Sequence, residues 1–124
     1  MTAVALLGAL HTIGKWQKVN SIVKVLEFTD LPGARHRDDG DGSADEFFED
    51  YLESSLSDIF NKKEGIVTID LDGTYGYASS FVSQLAVRIK ELFKGKKRSI
   101  KKHIIIKSDD DPWQRERFWN EIER

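Results

Sequence analysis

The chain has 124 residues, of which 40% are hydrophobic and 32% are charged, and its formal net charge is −2. This length suits one domain that buries about two-thirds of its unfolded surface, so it can hold a core without cross-links. The absence of cysteine excludes disulfides, thiol catalysis and thiolate metal sites. The small net charge creates no overall field that would draw the chain to nucleic acid or membrane. The absence of cysteine fits a reducing compartment, and we expect a cytoplasmic protein.

The N-terminal segment, residues 1–21, is set apart from a predicted domain at residues 22–124. Its apolar run at residues 3–10 is far shorter than the about 20 residues that a membrane-spanning helix needs. Only two residues precede this run, so the basic start of a signal peptide is missing. We expect the segment, with a weak helical tendency at residues 1–17, to pack on the core or on a neighbouring copy in a homo-oligomer.

Hydrophobic spacing predicts strands and helices in alternation along the first half of the domain. Residues 22–28 (IVKVLEF) alternate in polarity and are rich in β-branched side chains, as in a strand. A loop follows at residues 31–42, where proline, glycine and the sequence DDGDG break regular structure. Ser43 then begins a helix, because Glu46 stands at the capping-box spacing and apolar residues follow at helical intervals.

The second half repeats this alternation. Residues 65–71 (GIVTIDL) predict a second strand that is apolar enough to lie inside a sheet. Ser79 or Ser80 can cap the next helix, which a glycine ends. Residues 102–107 (KHIIIK) predict a third strand, and Asp111 followed by proline begins the last helix.

This order predicts an α/β fold with a mostly parallel sheet, βαβ crossovers and packed helices. In such a sheet the loops that follow the strands gather at the carboxyl edge, where ligands bind. That edge should collect polar residues from three loops: Arg35, His36, Arg37, Asp38, Asp39, Asp41, Asp72, Tyr75, Tyr77, Ser79, Ser80, Asp109, Asp110 and Asp111. The opposite edge should carry a basic set: Lys96, Lys97, Arg98, Lys101 and Lys102.

The sequence DLDGT at residues 70–74 resembles the motif of haloacid dehalogenase phosphotransferases, an apolar strand followed by Asp-x-Asp-Gly-Thr. In this interpretation Asp70 is the nucleophile and Asp72 the general acid or base. Yet 69 residues precede the motif, whereas that family normally opens with it. Ser108 resembles the second motif of that family, and the two aspartates after it resemble its later acidic pair. All three follow the same strand, so they cannot occupy the two separate positions that these motifs take. A phosphotransferase is therefore an alternative and not the leading interpretation.

Four segments in order resemble the uncharacterised STAS-like family, which is related to anti-sigma factor antagonists. They are the sequences GAR at residues 33–35, SADEF at residues 43–47, IVTIDLDG at residues 66–73 and SSF at residues 79–81. The resemblance covers about residues 22–120. It implies a STAS-like α/β fold and a bacterial-type regulatory module that is not an enzyme and binds a protein partner. In anti-sigma antagonists that partner is a kinase of the histidine-kinase-like ATPase fold.

The resemblance also implies a switch, because the family's phosphorylated serine corresponds to Ser80. A helix N-terminus tolerates anions, and a phosphate adds about −1.5 to −2 charges. The sequence departs from the family at Ala78, where the family has aspartate, and at Phe81, where it has glycine. Plain helix capping is the alternative role for Ser79 and Ser80. The surface for a partner or phosphate is predicted to contain Arg35, Arg37, Asp72, Tyr75, Tyr77, Ser79 and Ser80.

Two basic groups have alternative roles. Arg35 and Arg37 can clamp a phosphate or carboxylate, or pair with the aspartates of their own loop. The run KGKKRSIKK at residues 94–102 can contact nucleic acid, and a nucleic-acid or nucleotide binder acting through residues 96–102 is the third functional alternative. The run contains no aromatic residue and joins a helix to a strand, so we expect a solvated loop there and no nucleic-acid partner. The histidines lack metal spacing and DDGDG lacks calcium ligands, so no metal or cofactor is expected.

Overall fold

A computed structural model describes residues 20–124 of the chain. These residues form one parallel sheet of three strands, β1 (Asn20–Lys24), β2 (Ile66–Asp70) and β3 (Ile104–Lys107). The strands lie side by side in the order β1–β2–β3, and both pairs are parallel. The prediction of a mixed α/β domain with parallel neighbouring strands is therefore confirmed. The predicted segment at residues 1–21 lies outside the described residues, except for its last two, which begin β1.

Helices fill the connections between the strands. In chain order they are α1 (Val25–Phe28), a 3₁₀ turn (Arg37–Asp39), α2 (Ala44–Phe47), a π-helical segment (Phe48–Leu52), α3 (Glu53–Lys62), α4 (Ser79–Leu92), α5 (Lys97–His103) and α6 (Pro112–Glu123). Two predicted caps are confirmed, since Ser43 accepts a hydrogen bond from the backbone of Glu46 at 3.1 Å and Asp111 accepts one from that of Trp113 at 3.2 Å. None of the helices in residues 20–124 is long and apolar enough to cross a membrane.

Several predicted boundaries were wrong, and the first strand already begins at Asn20, two residues before its predicted start. The first strand ends at Lys24, because the chain turns into α1 and brings Phe28 against the Phe47 ring, with 5.6 Å between the ring centroids. The basic run predicted as a loop contains α5, whose residues Ile100 and His103 are buried. The third strand consequently begins two residues later than predicted, after the end of α5.

The core lies on one face of the sheet, against the helices. On that face Val67, Ile69, Ile104 and Ile106 are buried and join one apolar cluster with α4 and α6. The alternate positions point to the other face, where Ile22 is 65% exposed and Ile105 is 50% exposed. Within the described residues, packed helices therefore cover one face of the sheet and leave the second open.

Candidate functional site

The loops that follow β1 and β2 are joined by backbone hydrogen bonds at the carboxyl edge of the sheet. The N–H of Tyr75 donates to the carbonyl oxygen of Asp30 at 2.9 Å. The N–H of Ala78 donates to the carbonyl oxygen of Pro32 at 3.3 Å. These bonds hold the segment that leads to Arg35 beside the turn that leads into α4.

Asp72 joins the loop after β2 to the loop after β3. Its carboxylate accepts hydrogen bonds from Nζ of Lys107 at 2.6 Å and from the backbone N–H of Asp110 at 2.9 Å. The N–H of Gly73 donates in return to the Asp110 carboxylate at 2.8 Å. Burial tends to raise the pKa of Asp72, but these donors outweigh it and hold the pKa below its ordinary value. All three loops thus form one surface, as the parallel topology predicts.

Asp70, the nucleophile of the phosphotransferase alternative, lies in the row of residues that ends the sheet. Its neighbours in the strand register are Lys24 on β1 and Lys107 on β3. Its Oδ1 accepts the N–H of Asp72 at 2.9 Å, which closes the turn after β2. Hydrogen bonds to Asp72 and then to Asp109 raise the pKa of Lys107. Residues 20–124 contain no group of three or more histidine and carboxylate side chains that could hold a metal ion.

The two tyrosines of the turn have different environments. Tyr75 is 83% exposed. Tyr77 is half-buried: its hydroxyl donates to the carbonyl oxygen of Leu71 at 2.7 Å, and its ring packs on Phe81 with 5.6 Å between centroids. Burial raises the pKa of Tyr77. Tyr75 is therefore accessible to a partner, whereas Tyr77 supports the turn from inside.

The two arginines of the first loop also differ. Arg37 donates from Nε to Glu49 at 2.9 Å and from Nη2 to Asp50 at 3.1 Å. It therefore pairs with the helical segment that follows and not with the aspartates of its own loop, and the hydrogen bond to Glu49 raises the pKa of Arg37. The side chain of Arg35 is exposed and forms no hydrogen bond or ion pair with any residue in the described range.

Asp45 fastens the Arg35 loop to α4. Its carboxylate lies 2.9 Å from Nε2 of Gln84, 2.7 Å from Nδ1 of His36 and 2.9 Å from Nη1 of Arg88. Burial alone would raise the pKa of Asp45, but these contacts together lower it. The sequence pattern missed this network, because Gln84 and Arg88 follow Asp45 only after 39 and 43 positions, on a separate helix.

The start of α4 differs from the prediction that Ser79 or Ser80 caps it. The capping residue is Ala78, no side chain caps the helix, and the two serines take the first two helical positions. Phe81 is fully buried, and its N–H donates to the carbonyl oxygen of Ala78 at 3.1 Å. The helix therefore begins one residue earlier than a Ser79 cap would place it and two earlier than a Ser80 cap. Ser80 is partly exposed and precedes Gln84 by one turn, so both lie on one helix face beside the Asp45 network.

The amino edge of the sheet carries the basic residues, because α5 leads directly into the amino end of β3. A cavity of about 520 Å³ lies at this edge. Its cations are Arg98 and Lys102 of α5, Lys96 just before α5, and Lys63 and Lys94, which follow α3 and α4. Lys94 belongs to the basic run at residues 94–102 that the sequence singled out, whereas Lys63 was not predicted to belong to a site.

No family model, no curated protein and no solved structure matches this chain.

Proposed function

We propose that this chain is a regulatory module, not an enzyme, that binds a protein partner through the carboxyl edge of its sheet, as the STAS-like resemblance implies. The observation that carries the proposal is that Tyr75 and Arg35 lie on two neighbouring loops that backbone hydrogen bonds join. Both side chains are exposed and form no hydrogen bond within residues 20–124. Tyrosine and arginine are among the residues that most often anchor protein interfaces.

Two exposed apolar side chains lie near these loops. Leu31, next to the residue that binds the backbone of Tyr75, is 64% exposed. Leu26 is 44% exposed and lies over the turn after β2, since a Cβ on Gly73 would stand 3.0 Å from its Cδ2. An apolar centre with an arginine at its rim is the usual composition of a protein interface. The carboxyl-edge surface is defined by Leu26, Leu31, Arg35, Tyr75 and Ser80.

Ser80 is the proposed switch residue of this surface. It stands in the first turn of a helix of 14 residues, where a phosphate would meet the positive end of the helix dipole. Arg37 and Arg88 already pair with carboxylates, whereas Arg35 does not. Arg35 is therefore the cation of its loop that is available to bind an added phosphate. The partner that the resemblance suggests is a kinase of the histidine-kinase-like ATPase fold.

The contacts of the two aspartates favour a structural role over the phosphotransferase alternative. A general acid or base must exchange a proton with substrate. The Asp72 carboxylate instead receives the Lys107 ammonium and a backbone N–H of the next loop. Asp70 in turn accepts the N–H of Asp72. We therefore assign both aspartates to holding the loops that present the partner surface.

The test compares two arginines at opposite edges of the sheet. Affinity capture on the 124-residue chain supplies candidate partners, and each is then titrated as a purified protein. Arg35→Gln should raise the Kd by about tenfold or more, as expected for an interface anchor. The matched control is Arg98→Gln, which removes an arginine that is also exposed, but at the amino edge, and should leave the Kd unchanged. Loss of binding in the control alone, or no stoichiometric protein partner, would refute the proposal.

A further inference from the structure

The cavity at the amino edge, here called the basic groove, is defined by Phe60, Lys63, Lys94, Lys96, Arg98 and Lys102. Its volume is about 520 Å³. Small-molecule sites in proteins typically occupy about 300–1,000 Å³, so the groove has room for a ligand larger than a single phosphate ion. The ends of α3 and α4 and one face of α5 form its walls.

The five cations of the basic groove have no carboxylate partner among the described residues, and no described aspartate or glutamate lines the groove. The chain as a whole is slightly acidic, so the cluster of cations in the groove does not simply reflect a basic composition of the protein. The remaining lysines of α5 show the contrast, because Lys97 and Lys101 both form ion pairs with Glu123. Helix α5 thus has two different faces. On one face Glu123 neutralises the lysines; on the other, Arg98 and Lys102 lie one turn apart and line the groove without a carboxylate partner.

An aromatic ring accompanies these charges. The Phe60 ring centroid lies 6.0 Å from Nζ of Lys94 and 5.7 Å from Nζ of Lys96. Phe93 supports the ring edge-on, with 5.4 Å between the centroids. Aromatic rings stack with nucleobases, while lysine and arginine bind phosphate oxygens. Ring and cations together match a ligand that has both a planar base and several phosphates.

We propose that the basic groove binds a nucleoside polyphosphate, with its base against Phe60 and its phosphates among the unpaired cations. Five cations match the three to four negative charges of such a ligand better than they match the smaller charge of a single phosphate ion. A nucleic-acid strand would need a basic track beyond the groove, and Glu123 neutralises the next lysines along α5. The groove lies at the opposite end of the strands from the carboxyl-edge surface, so this inference is independent of the protein partner.

The first experiment is a calorimetric titration of the 124-residue chain with ATP at low ionic strength, where a one-to-one saturable isotherm is expected. Arg98→Gln/Lys102→Gln should raise the Kd by about tenfold or more, because it removes two charge-assisted contacts. Lys97→Gln/Lys101→Gln removes the same charge from the same helix but outside the groove. It should change the Kd by less than about twofold, as expected for charges that Glu123 already neutralises. Thermal melts confirm that both variants are folded.

The second experiment distinguishes the contribution of the base to binding from that of the phosphates. Phe60→Leu should weaken binding of ATP by about fivefold, which is the loss of one stacking contact, and leave binding of inorganic triphosphate unchanged. Because triphosphate reports on the cations of the same variant, it also shows that the groove is intact. The proposal is overturned by absence of saturable ATP binding, by equal losses in the two double variants, or by equal effects of Phe60→Leu on both ligands. It is equally overturned if single-stranded oligothymidylate binds more tightly than ATP.

Discussion

The Nζ atom of Lys107 lies 2.6 Å from Oδ2 of Asp72, so an ion pair links the last residue of β3 to the turn after β2. The same ammonium lies 3.2 Å from Oδ2 of Asp109 in the following loop. Since Asp72 also accepts the N–H of Asp110, one carboxylate organises two of the three loops at this edge. Stability of the carboxyl edge should therefore depend on Asp72 more than on its acidic neighbours.

Asp72→Ala should lower the free energy of unfolding by about 1–3 kcal/mol, because it leaves the backbone N–H of Asp110 without its acceptor and removes the nearer of the two carboxylates that contact Lys107. Asp109→Ala is the matched control, since it removes a carboxylate that contacts the same lysine but is well exposed. An exposed ion pair contributes about 0–1 kcal/mol, so this variant should remain close to wild type. Urea unfolding measures both. Equal losses in the two variants would mean that Asp72 does not organise the edge.

Unfolding should become easier in acid because of Asp45 and Asp72, whose pKa values lie below the ordinary range. An aspartate in the unfolded chain has a pKa of about 3.9. The folded state therefore binds fewer protons, and the stabilisation is fully present above about pH 5 and lost as the pH falls through the folded pKa values. Urea midpoints measured at descending pH should fall less steeply for Asp72→Asn, whose amide does not titrate. A slope identical to that of wild type would contradict this assignment.

Asp70→Asn should leave partner binding intact. The amide oxygen can still accept the N–H of Asp72, so the turn after β2 is kept and the loss of stability should stay below about 1 kcal/mol. The assay is hydrolysis of a generic phosphomonoester with magnesium, on wild type and variant. Background rates for both proteins are expected. A magnesium-dependent activity that disappears in Asp70→Asn would establish the phosphotransferase alternative instead.

The fold was predictable where one local pattern determined the structure. Alternating and continuous apolar runs located the three strands, and the capping patterns located the starts of α2 and α6 at Ser43 and Asp111. Helix α5 was not predicted, because a run of lysines is typical of a solvent-exposed loop. Its buried side depends on a distant contact, in which Nδ1 of His103 lies 2.7 Å from the carbonyl oxygen of Gly65. A contact between residues 38 positions apart leaves no local periodicity.

The site was predictable in topology but less so in the roles of its residues. Parallel strands brought the three loops together, as the order of elements implied. Packing determines which side chains remain accessible. Tyr77 packs on the ring of Phe81, and Arg37 donates a hydrogen bond to Glu49. Sequence alone treats Tyr75 like Tyr77 and Arg35 like Arg37, because each pair has the same chemistry within a few residues.

Negative charge at Ser80 should change partner binding more than it changes stability. Ser80→Asp adds negative charge in the first turn of α4, which a helix N-terminus accommodates, so the free energy of unfolding should change by less than about 0.5 kcal/mol. The same charge enters the carboxyl-edge surface, where Arg35 is the unpaired cation of its loop. Partner affinity should therefore change by about fivefold or more, well beyond the effect on stability. Ser80→Ala adds no charge and removes no capping bond, so it should bind like wild type.

Titration of the purified partner and thermal melts, performed on the same proteins, separate these effects. Ser80→Asp combined with Arg35→Gln should not show the sum of the two single changes if the carboxylate and the guanidinium interact, because coupled residues are non-additive. The triple variant Lys96→Glu/Lys97→Glu/Lys101→Glu places a larger charge change at the amino edge and should leave partner affinity near wild type. If that variant abolishes binding while Ser80→Asp binds normally, the partner docks at the amino edge, and the carboxyl-edge surface does not serve as its site.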